Sequence, residues 1–208
     1  MATARKADKP YHHGDLRAAL IAAAEAELIG KGIDAFSLRG AARRAGVSHA
    51  APAHHFKDAM ALLDALAAAG FARLTAAMKE EQAGAETDRK AQLVAAGVGY
   101  VRFALDNPEL LQLMFGTSRR KSDDPELGRN ADAAFSVLVN GVGMIRGRDA
   151  FTGEAGWRDV AACWSMVHGY AQLAIAGKME FVTGLEFTRQ RDLIEDLVRR
   201  ALQEKAPL

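Results

Sequence analysis

Apolar residues recur along this chain at intervals of three and four positions, the spacing that gathers them on one face of an α-helix. The first such stripe is formed by Leu16, Leu20, Ala24 and Leu28. Asp15 stands where its side chain can accept hydrogen bonds from the free amides at the helix start, and Gly32 can end the helix. The pattern therefore predicts a first helix over residues 15–31.

Two shorter helices are predicted next. The first begins at Ser37, ends at Gly46, and has a small apolar face formed by Leu38, Ala41, Ala42 and Ala45. Ser48 can cap the second, which runs to about His55 with Pro52 near its first turn. Two short helices joined by a tight turn with glycine are typical of a helix-turn-helix, whose second helix enters the major groove of DNA.

The remaining chain also favours helices, because alanine and leucine are abundant and no stretch alternates with the period of a strand. Further helices are predicted over residues 57–82, 89–107, 108–115, 125–146, 154–176 and 186–204. We therefore expect an all-α protein of about nine helices. Residues 1–60 would form a three-helix head that contains the helix-turn-helix, and residues 61–208 a separate helical bundle.

Composition fits an ordinary globular protein, since half of the 208 residues are hydrophobic. The single cysteine, Cys163, and an N-terminus without an apolar leader favour a reducing cytoplasm. Residues 160–177 carry no charge, yet Ser165, His168 and Gln172 interrupt the run. We interpret this run as a helix buried in a protein core, with no membrane partner.

Charge is distributed unevenly along the chain. Residues 1–60 carry 9 Lys and Arg against 6 Asp and Glu, a net charge of +3, whereas the remainder carries 18 against 20, a net charge of −2. Four cationic residues surround the two short helices: Arg39, Arg43, Arg44 and Lys57. Cations at this density suit DNA phosphates. The alternative is a helical binding module that recognises a protein partner or a metal without binding DNA.

A longer stretch carries a family resemblance. "FSLRGAARRAGVSHAAPAHHFKDAMALLDAL" resembles the DNA-binding region of the TetR family of bacterial transcriptional regulators, and the match covers about residues 14–66. "WSMVHGYAQLAIAG", residues 164–177, is similar to the Trp-x-x-x-His-Gly motif of one C-terminal ligand-binding subgroup. "YHHGDL", residues 11–16, is similar to the opening of the first helix in that subgroup. The resemblance implies a ligand-responsive regulator, most often a repressor.

The resemblance also implies roles for single residues. His55 would touch a phosphate, and Phe56 would anchor the preceding segment in the core. Ala53 stands where the family usually has a phosphate-contacting tyrosine, and Ala59 replaces a lysine common at the head of the next helix. His54 and Lys57 are candidates to compensate. Without compensation, DNA affinity would be modest or strongly dependent on salt.

Three histidines, His49, His54 and His55, have three possible explanations: a metal site, plain surface or DNA contact. No pair has the i, i+4 spacing that places two imidazoles on one helical face, and no cysteine or carboxylate cluster adjoins them. We therefore predict no metal site here. The residues predicted to contact DNA are Ser37, Arg39, Arg44, Ser48, His49, Ala50, His54, His55 and Lys57.

The bundle is expected to hold an unidentified small-molecule effector in an apolar cavity between its helices. The predicted lining is Phe103, Met114, Phe115, Phe135, Leu138, Trp164 and His168. Trp164 and His168 are four residues apart and so lie on one helical face. The sequence leaves open whether this face lines a pocket or only packs.

The last helix carries apolar residues at helical spacing, and the helix before it is almost uncharged. We predict that these two helices form a homodimer that reads a palindromic DNA site. The predicted interface residues are Phe187, Ile194, Leu197, Val198 and Ala201.

Catalysis has little support in the sequence. There is no Gly-rich phosphate loop, and no carboxylate pair adjoins a plausible base. Cys163 and His168 are five residues apart on one predicted helix, so their side chains diverge by about 140°. We predict neither an enzyme nor a cofactor.

Overall fold

The structure is a computed structural model that describes residues 13–116 and 122–202. The side chains of residues 13–15 and of Phe187 lie outside this description. The predicted capping role of Asp15 and the predicted interface role of Phe187 therefore fall outside the described residues. So does the basic run at residues 119–121.

The described residues form α-helices joined by turns, and they contain no strand. The helices are α1 (His13–Lys31), α2 (Leu38–Arg44), α3 (Ala59–Ala83), α4 (Arg89–Asp106), α5 (Pro108–Phe115), α6 (Pro125–Arg146), α7 (Ala155–Ile175), α8 (Glu180–Thr183) and α9 (Phe187–Ala201). A 3₁₀ helix, Ala51–His54, lies between α2 and α3. The all-α prediction is confirmed. The chain divides into two compact units, Met1–Leu66 and Ala67–Leu208.

The core of the first unit joins α1 to α2 and to the start of α3. Its buried side chains include Leu20, Ala24, Leu28, Ala41, Ala42, Phe56, Leu62 and Leu63. Gly32 and Gly46 have φ values of +73° and +69°, a region that favours glycine. They follow α1 and α2 and end these helices, as the sequence pattern predicts.

In the second unit, α4 is the central helix and packs against α6, α7 and α9. Two of its glycines permit these close approaches. A Cβ at Gly99 would lie 2.6 Å from the carbonyl oxygen of Ala77 in α3, and one at Gly97 would lie 2.9 Å from Val198 Cγ2 in α9. Both distances are shorter than normal contacts, so the backbone of α4 itself forms part of the packing surface.

A buried carboxylate ties three helices of this unit together. Glu81 of α3 is nearly buried, and its Oε1 lies 2.7 Å from Arg102 Nη1 of α4. Its Oε2 accepts a hydrogen bond from Arg191 Nη1 of α9, also at 2.7 Å. The two guanidinium groups offset the cost of removing this charge from water.

Two local predictions differ from the structure. The segment after the turn is a 3₁₀ helix that begins at Ala51, whereas the sequence predicts an α-helix capped by Ser48. Pro52 has no N–H for an α-helical bond and disfavours an α conformation in the residue before it. The chain instead forms tighter bonds, such as Ala51 N–H to the Ser48 carbonyl at 3.1 Å. The short helix α8 was not predicted, because a single turn is too short to show a period.

The prediction that α9 presents its apolar face to a partner is wrong for two residues. Ile194 and Val198 are each 1% exposed, because α9 packs that face against α4 and α7 of its own unit. Leu197 and Ala201 are only partly exposed. Helical spacing shows that a helix buries one face, but it does not show which surface covers that face.

Among the described residues, α3 is the one helix that is long and apolar enough to cross a membrane. Half of the apolar 18-residue stretch of this helix is buried inside the protein. Core helices share this length and composition, so the finding is weak evidence for a membrane span.

Candidate nucleic-acid interface and ligand cavity

Helix α2 and its turn are closed by local hydrogen bonds at both ends. Ser37 Oγ accepts a hydrogen bond from the backbone N–H of Gly40 at 3.0 Å, which caps the helix start. At the other end, Gly46 N–H donates to the Arg43 carbonyl at 3.2 Å, and Val47 N–H donates to the Ala42 carbonyl at 3.1 Å. This bond pair around a left-handed glycine fixes the direction in which the chain leaves α2.

Two buried residues, one within the 3₁₀ segment and one just after it, anchor the segment in the core of the first unit. Pro52 and Phe56 are buried, and Phe56 N–H donates to the Pro52 carbonyl at 2.8 Å. The guanidinium carbon of Arg17 lies 5.7 Å from the centre of the Phe56 ring. With this side fixed, His49 and His54 remain exposed on the outer side.

The predicted DNA-contact residues are mostly accessible. Arg39, Ser48, His49, Ala50, His54 and Lys57 are exposed, and Ser37 and His55 are partly exposed. The hydroxyl of Ser37 already accepts the capping bond, but its own proton remains available to donate. Arg43, outside this predicted set, is exposed as well.

Arg44 is exposed as well, but its guanidinium is paired within the unit. Its Nε donates to Glu27 Oε2 of α1 at 2.6 Å, and Lys31 Nζ lies 2.8 Å from Glu27 Oε1. Glu27 itself is fully buried at 0% exposure. Arg44, which the sequence assigns to DNA contact, therefore joins α2 to α1.

The surroundings of Glu27 keep its carboxylate ionised. The hydrogen bond from Lys31, followed by that from Arg44, lowers the pKa of Glu27 despite the opposing effect of burial. Sequence reasoning missed this residue. Its local signal was modest, a glutamate four positions before Lys31, whereas its pairing with Arg44 depends on how α1 and α2 meet.

The second unit contains an apolar cavity of about 240 Å³. Five aromatic rings contribute to its lining: Phe71, Tyr100, Phe115, Phe135 and Trp164. Leu74 and Met78 of α3 and Val198 of α9 also line it. A mostly apolar cleft with a few polar groups is the usual form of a small-molecule site.

The structure brings together part of the predicted lining. Phe115, Phe135, Leu138 and Trp164 border the cavity, whereas Phe103, Met114 and His168 are not among its described lining residues. Phe103 packs beneath the guanidinium of Arg73, and Met114 packs against Gly70 of α3. Tyr100 and the α3 residues were missed, because periodicity does not reveal which buried positions border a void.

Tyr100 and His168 form a polar pair at the cavity wall. Tyr100 Oη lies 2.6 Å from His168 Nδ1, and the Phe115 ring centre lies 4.9 Å from that of His168. Burial raises the pKa of Tyr100 and lowers the pKa of His168, so both groups are neutral at pH 7. The Trp-x-x-x-His-Gly stretch thus has two roles: Trp164 lines the cavity, and His168 supports Tyr100.

Cys163 also borders the cavity and is buried. Burial, with a smaller contribution from the Asp159 carboxylate, raises the pKa of this thiol to about 11. The side chain is therefore a protonated thiol at pH 7. No group of three or more His, Cys, Asp or Glu side chains that could hold a metal occurs among the described residues.

Both parts of the chain match known family models. Residues 20–66 match the model described as bacterial regulatory proteins of the tetR family, and residues 93–201 match a tetracyclin repressor-like C-terminal domain. The chain belongs to the TetR family of bacterial regulatory proteins. It is a DNA-binding transcriptional regulator with a ligand-binding C-terminal domain, and the family resemblance of the sequence is confirmed.

Solved structures agree with this fold. A protein of unknown function from Rhodococcus sp. RHA1 is 38% identical, with 95% of this chain and 100% of that chain covered and a TM-score of 0.77. A TetR family transcription regulator from Marinobacter aquaeolei VT8 is 21% identical over 89% of this chain and 94% of that chain, with a TM-score of 0.66. A TetR-like transcriptional regulator from Rhodococcus sp. RHA1 is 15% identical over 93% and 98%, with a TM-score of 0.65. None of the curated proteins matches the chain.

Proposed function

We propose that this TetR family member is a cytoplasmic, homodimeric repressor that leaves a palindromic operator when a small molecule occupies the cavity. It would do so without a catalytic step. The main support is that one helix, α3, contributes residues to both units. This helix contributes Leu62 and Leu63 to the core of the first unit, and Phe71, Leu74 and Met78 to the lining of the cavity.

The proposed release follows from thermodynamic linkage. A ligand weakens DNA binding only if it binds more tightly to the conformation that binds DNA less well. DNA must then weaken ligand binding by the same factor. Typical couplings of about 1–3 kcal/mol correspond to about a 5- to 150-fold change in affinity.

We assign two kinds of DNA contact to the first unit. Arg39, His55 and Lys57 would bind phosphates and contribute affinity without sequence preference. The segment Ser48, His49, Ala50 and His54 would approach base edges, with Ser37 donating its hydroxyl proton to a phosphate. Arg44 has a different role here: its ion pair with Glu27 would hold α2 in position.

We place the dimer contact on the exposed face of α7. Leu173 is exposed on this helix and lies within a run of residues without charge. Gly169 lies one turn before it on the same face, and a Cβ there would meet no atom within 4 Å, so a partner helix can approach closely. An uncharged face with large exposed apolar side chains is typical of a surface that a second copy covers.

Reciprocal titration tests the proposed function. An operator is first selected from random DNA, and a ligand is then found by thermal-shift screening. The ligand is titrated into free protein, into protein bound to the operator, and into protein mixed with scrambled DNA as the control. We expect the operator alone to weaken ligand binding by about 5- to 150-fold. Equal ligand affinity in all three samples would contradict release by this ligand.

A further inference from the structure

The cavity of the second unit has a buried inner end and an open mouth. The inner end is lined by buried apolar side chains, among them Leu74, Met78 and Val198. Phe135 and Trp164 also line the cavity, but they are 38% and 39% exposed, so they stand at its mouth. A ligand that fills this space has its inner part in apolar surroundings and its outer part near water. The cavity therefore suits a molecule with an apolar body and one polar end.

The mouth carries a carboxylate. Among the described lining residues, Asp132 of α6 is the one acidic side chain, and no lysine or arginine accompanies it. Asp132 is exposed and comes three positions before Phe135, so the two residues are neighbours on the surface of the same helix. In the described part of the chain, no side chain forms an ion pair with Asp132. The mouth is therefore negatively charged, and no described cation is bound to this charge.

The two exposed rings at the mouth favour a ligand of the same charge as the carboxylate does. The ring centres of Phe135 and Trp164 lie 5.5 Å apart, and their planes are tilted by 55°. The face of an aromatic ring attracts cations, and tryptophan does so most strongly. The described cations that lie over rings, Arg17 and Arg73, occupy other rings. A carboxylate beside two tilted rings is a chemical environment that suits an ammonium group, which can stay partly hydrated at the mouth.

We propose that the cavity binds small organic cations, with the apolar body inside and the ammonium group held at the mouth by Asp132, Phe135 and Trp164. This inference rests on the proposed function, because it defines the chemical class of the effector at the same site. An engineered apolar cavity of about 150 Å³ binds benzene, so the 240 Å³ of this cavity suits a body of about two fused rings. An anionic ligand would be repelled by the Asp132 carboxylate.

Three probes with one ring system and different charges test this proposal. They are the cation naphthylmethylammonium, the neutral naphthalenemethanol and the anion naphthoate. By isothermal titration calorimetry on the full chain at pH 7, we expect the ammonium to bind about 3- to 10-fold more tightly than the alcohol, and the anion to bind most weakly. Apolar transfer alone would favour the alcohol. Equal binding of ammonium and alcohol, tightest binding of the anion, or no measurable binding of any probe would overturn the proposal.

Asp132→Asn locates the charge that the ammonium group senses. We expect ammonium binding to weaken about 2- to 5-fold, the range of an exposed ion pair, while unchanged binding of the alcohol shows that the cavity is intact. Asp192→Asn is the matched control: Asp192 is also exposed in the second unit, but it does not line the cavity. It changes the net charge equally and should keep the preference. Unchanged ammonium binding in Asp132→Asn, or an equal loss in both variants, would overturn the assignment.

Phe135→Leu tests the aromatic part of the mouth, because leucine keeps an apolar side chain and removes the ring. The ratio of ammonium to alcohol affinity should fall about 2- to 5-fold. Phe181→Leu is the control, since Phe181 is exposed in the same unit but does not line the cavity. It should leave the ratio unchanged. An unchanged ratio in Phe135→Leu would overturn the role given to this ring.

Operator binding is measured separately with the same probes. If the ammonium probe shows the Asp132-dependent preference but leaves operator affinity unchanged, the ligand class stands and the proposed release by ligand fails for this class. If a neutral or anionic ligand binds the cavity more tightly than the ammonium probe and releases the operator, the proposed function stands and the ligand class is overturned.

Discussion

Arg44 Nε of α2 donates to Glu27 Oε2 of α1 at 2.6 Å, and the carboxylate that accepts this bond is fully buried. The bond crosses the packing between the two helices that precede the turn. A basic residue beside a helix-turn-helix is readily assigned to DNA phosphates. Here the guanidinium instead neutralises a buried charge, so its removal would affect folding before it affects binding.

Glu27→Gln should make the first unit less stable at pH 7, by about 1–3 kcal/mol, because a neutral amide replaces a carboxylate with two cationic partners. Because these partners lower the pKa of Glu27, its contribution is present above the ordinary value of 4.5 and disappears as pH falls through the lowered value. The measurement is chemical denaturation from pH 7 to pH 3. A stability difference that stays constant over this range would contradict the prediction.

Gly40→Ala should destabilise the first unit by about 1–3 kcal/mol, because a Cβ at this position would collide with Glu27 Oε1. Gly128→Ala in α6 is the matched control. A Cβ there meets no atom within 4 Å, so alanine should stabilise by about 0.5–1 kcal/mol through helix propensity. Thermal unfolding of both variants gives the comparison. Similar effects of the two substitutions would disprove the steric role of Glu27.

Arg39→Ala should weaken DNA binding on every sequence, because one phosphate contact is lost. The slope of log K against log salt concentration should then become shallower by about 0.9. Arg44→Ala should instead lower the melting temperature, because Glu27 loses a partner. Fluorescence anisotropy at several salt concentrations and thermal unfolding separate these effects. If Arg44→Ala keeps its melting temperature but loses salt-dependent DNA affinity, Arg44 contacts a phosphate and its assigned structural role is wrong.

His49→Ala should change base preference more than total affinity, because His49 is exposed at the start of the segment assigned to base edges. Selection from random DNA with the variant and with the unaltered chain measures this difference. Unchanged preference together with unchanged affinity would show that His49 is ordinary surface.

Leu173→Glu should shift the protein towards a monomer, because it places a charge on the uncharged face of α7. Leu173 is 51% exposed, so the substitution should leave the fold of the unit unchanged. Ile29→Glu is the control: Ile29 is 59% exposed but belongs to α1 of the first unit. Light scattering at micromolar concentration measures both masses. A dimeric mass for Leu173→Glu would place the interface elsewhere.

Much of the secondary structure follows from local sequence. The bounds of α6 agree with the predicted 125–146, because Pro125 at the start and Gly147 after the end are local signals. Ser37 and Gly46 likewise mark α2. The family was recognisable for the same reason: its motifs are short and contiguous. Pro52 shows the limit of this reasoning, since its missing N–H favoured a 3₁₀ turn over the expected α-helix.

Side-chain roles required the tertiary structure, because they depend on residues far apart in the chain. Arg44 meets Glu27 across 17 positions, and Tyr100 meets His168 across 68. The apolar stripe of α9 was evident in the sequence, but only packing against α4 decided that Val198 faces inward. The sequence thus determined which residues are helical and which faces are apolar, since both depend on near neighbours. Tertiary structure decided which faces meet and where a cavity remains. Both depend on how six helices of the second unit, α4 among them, pack together.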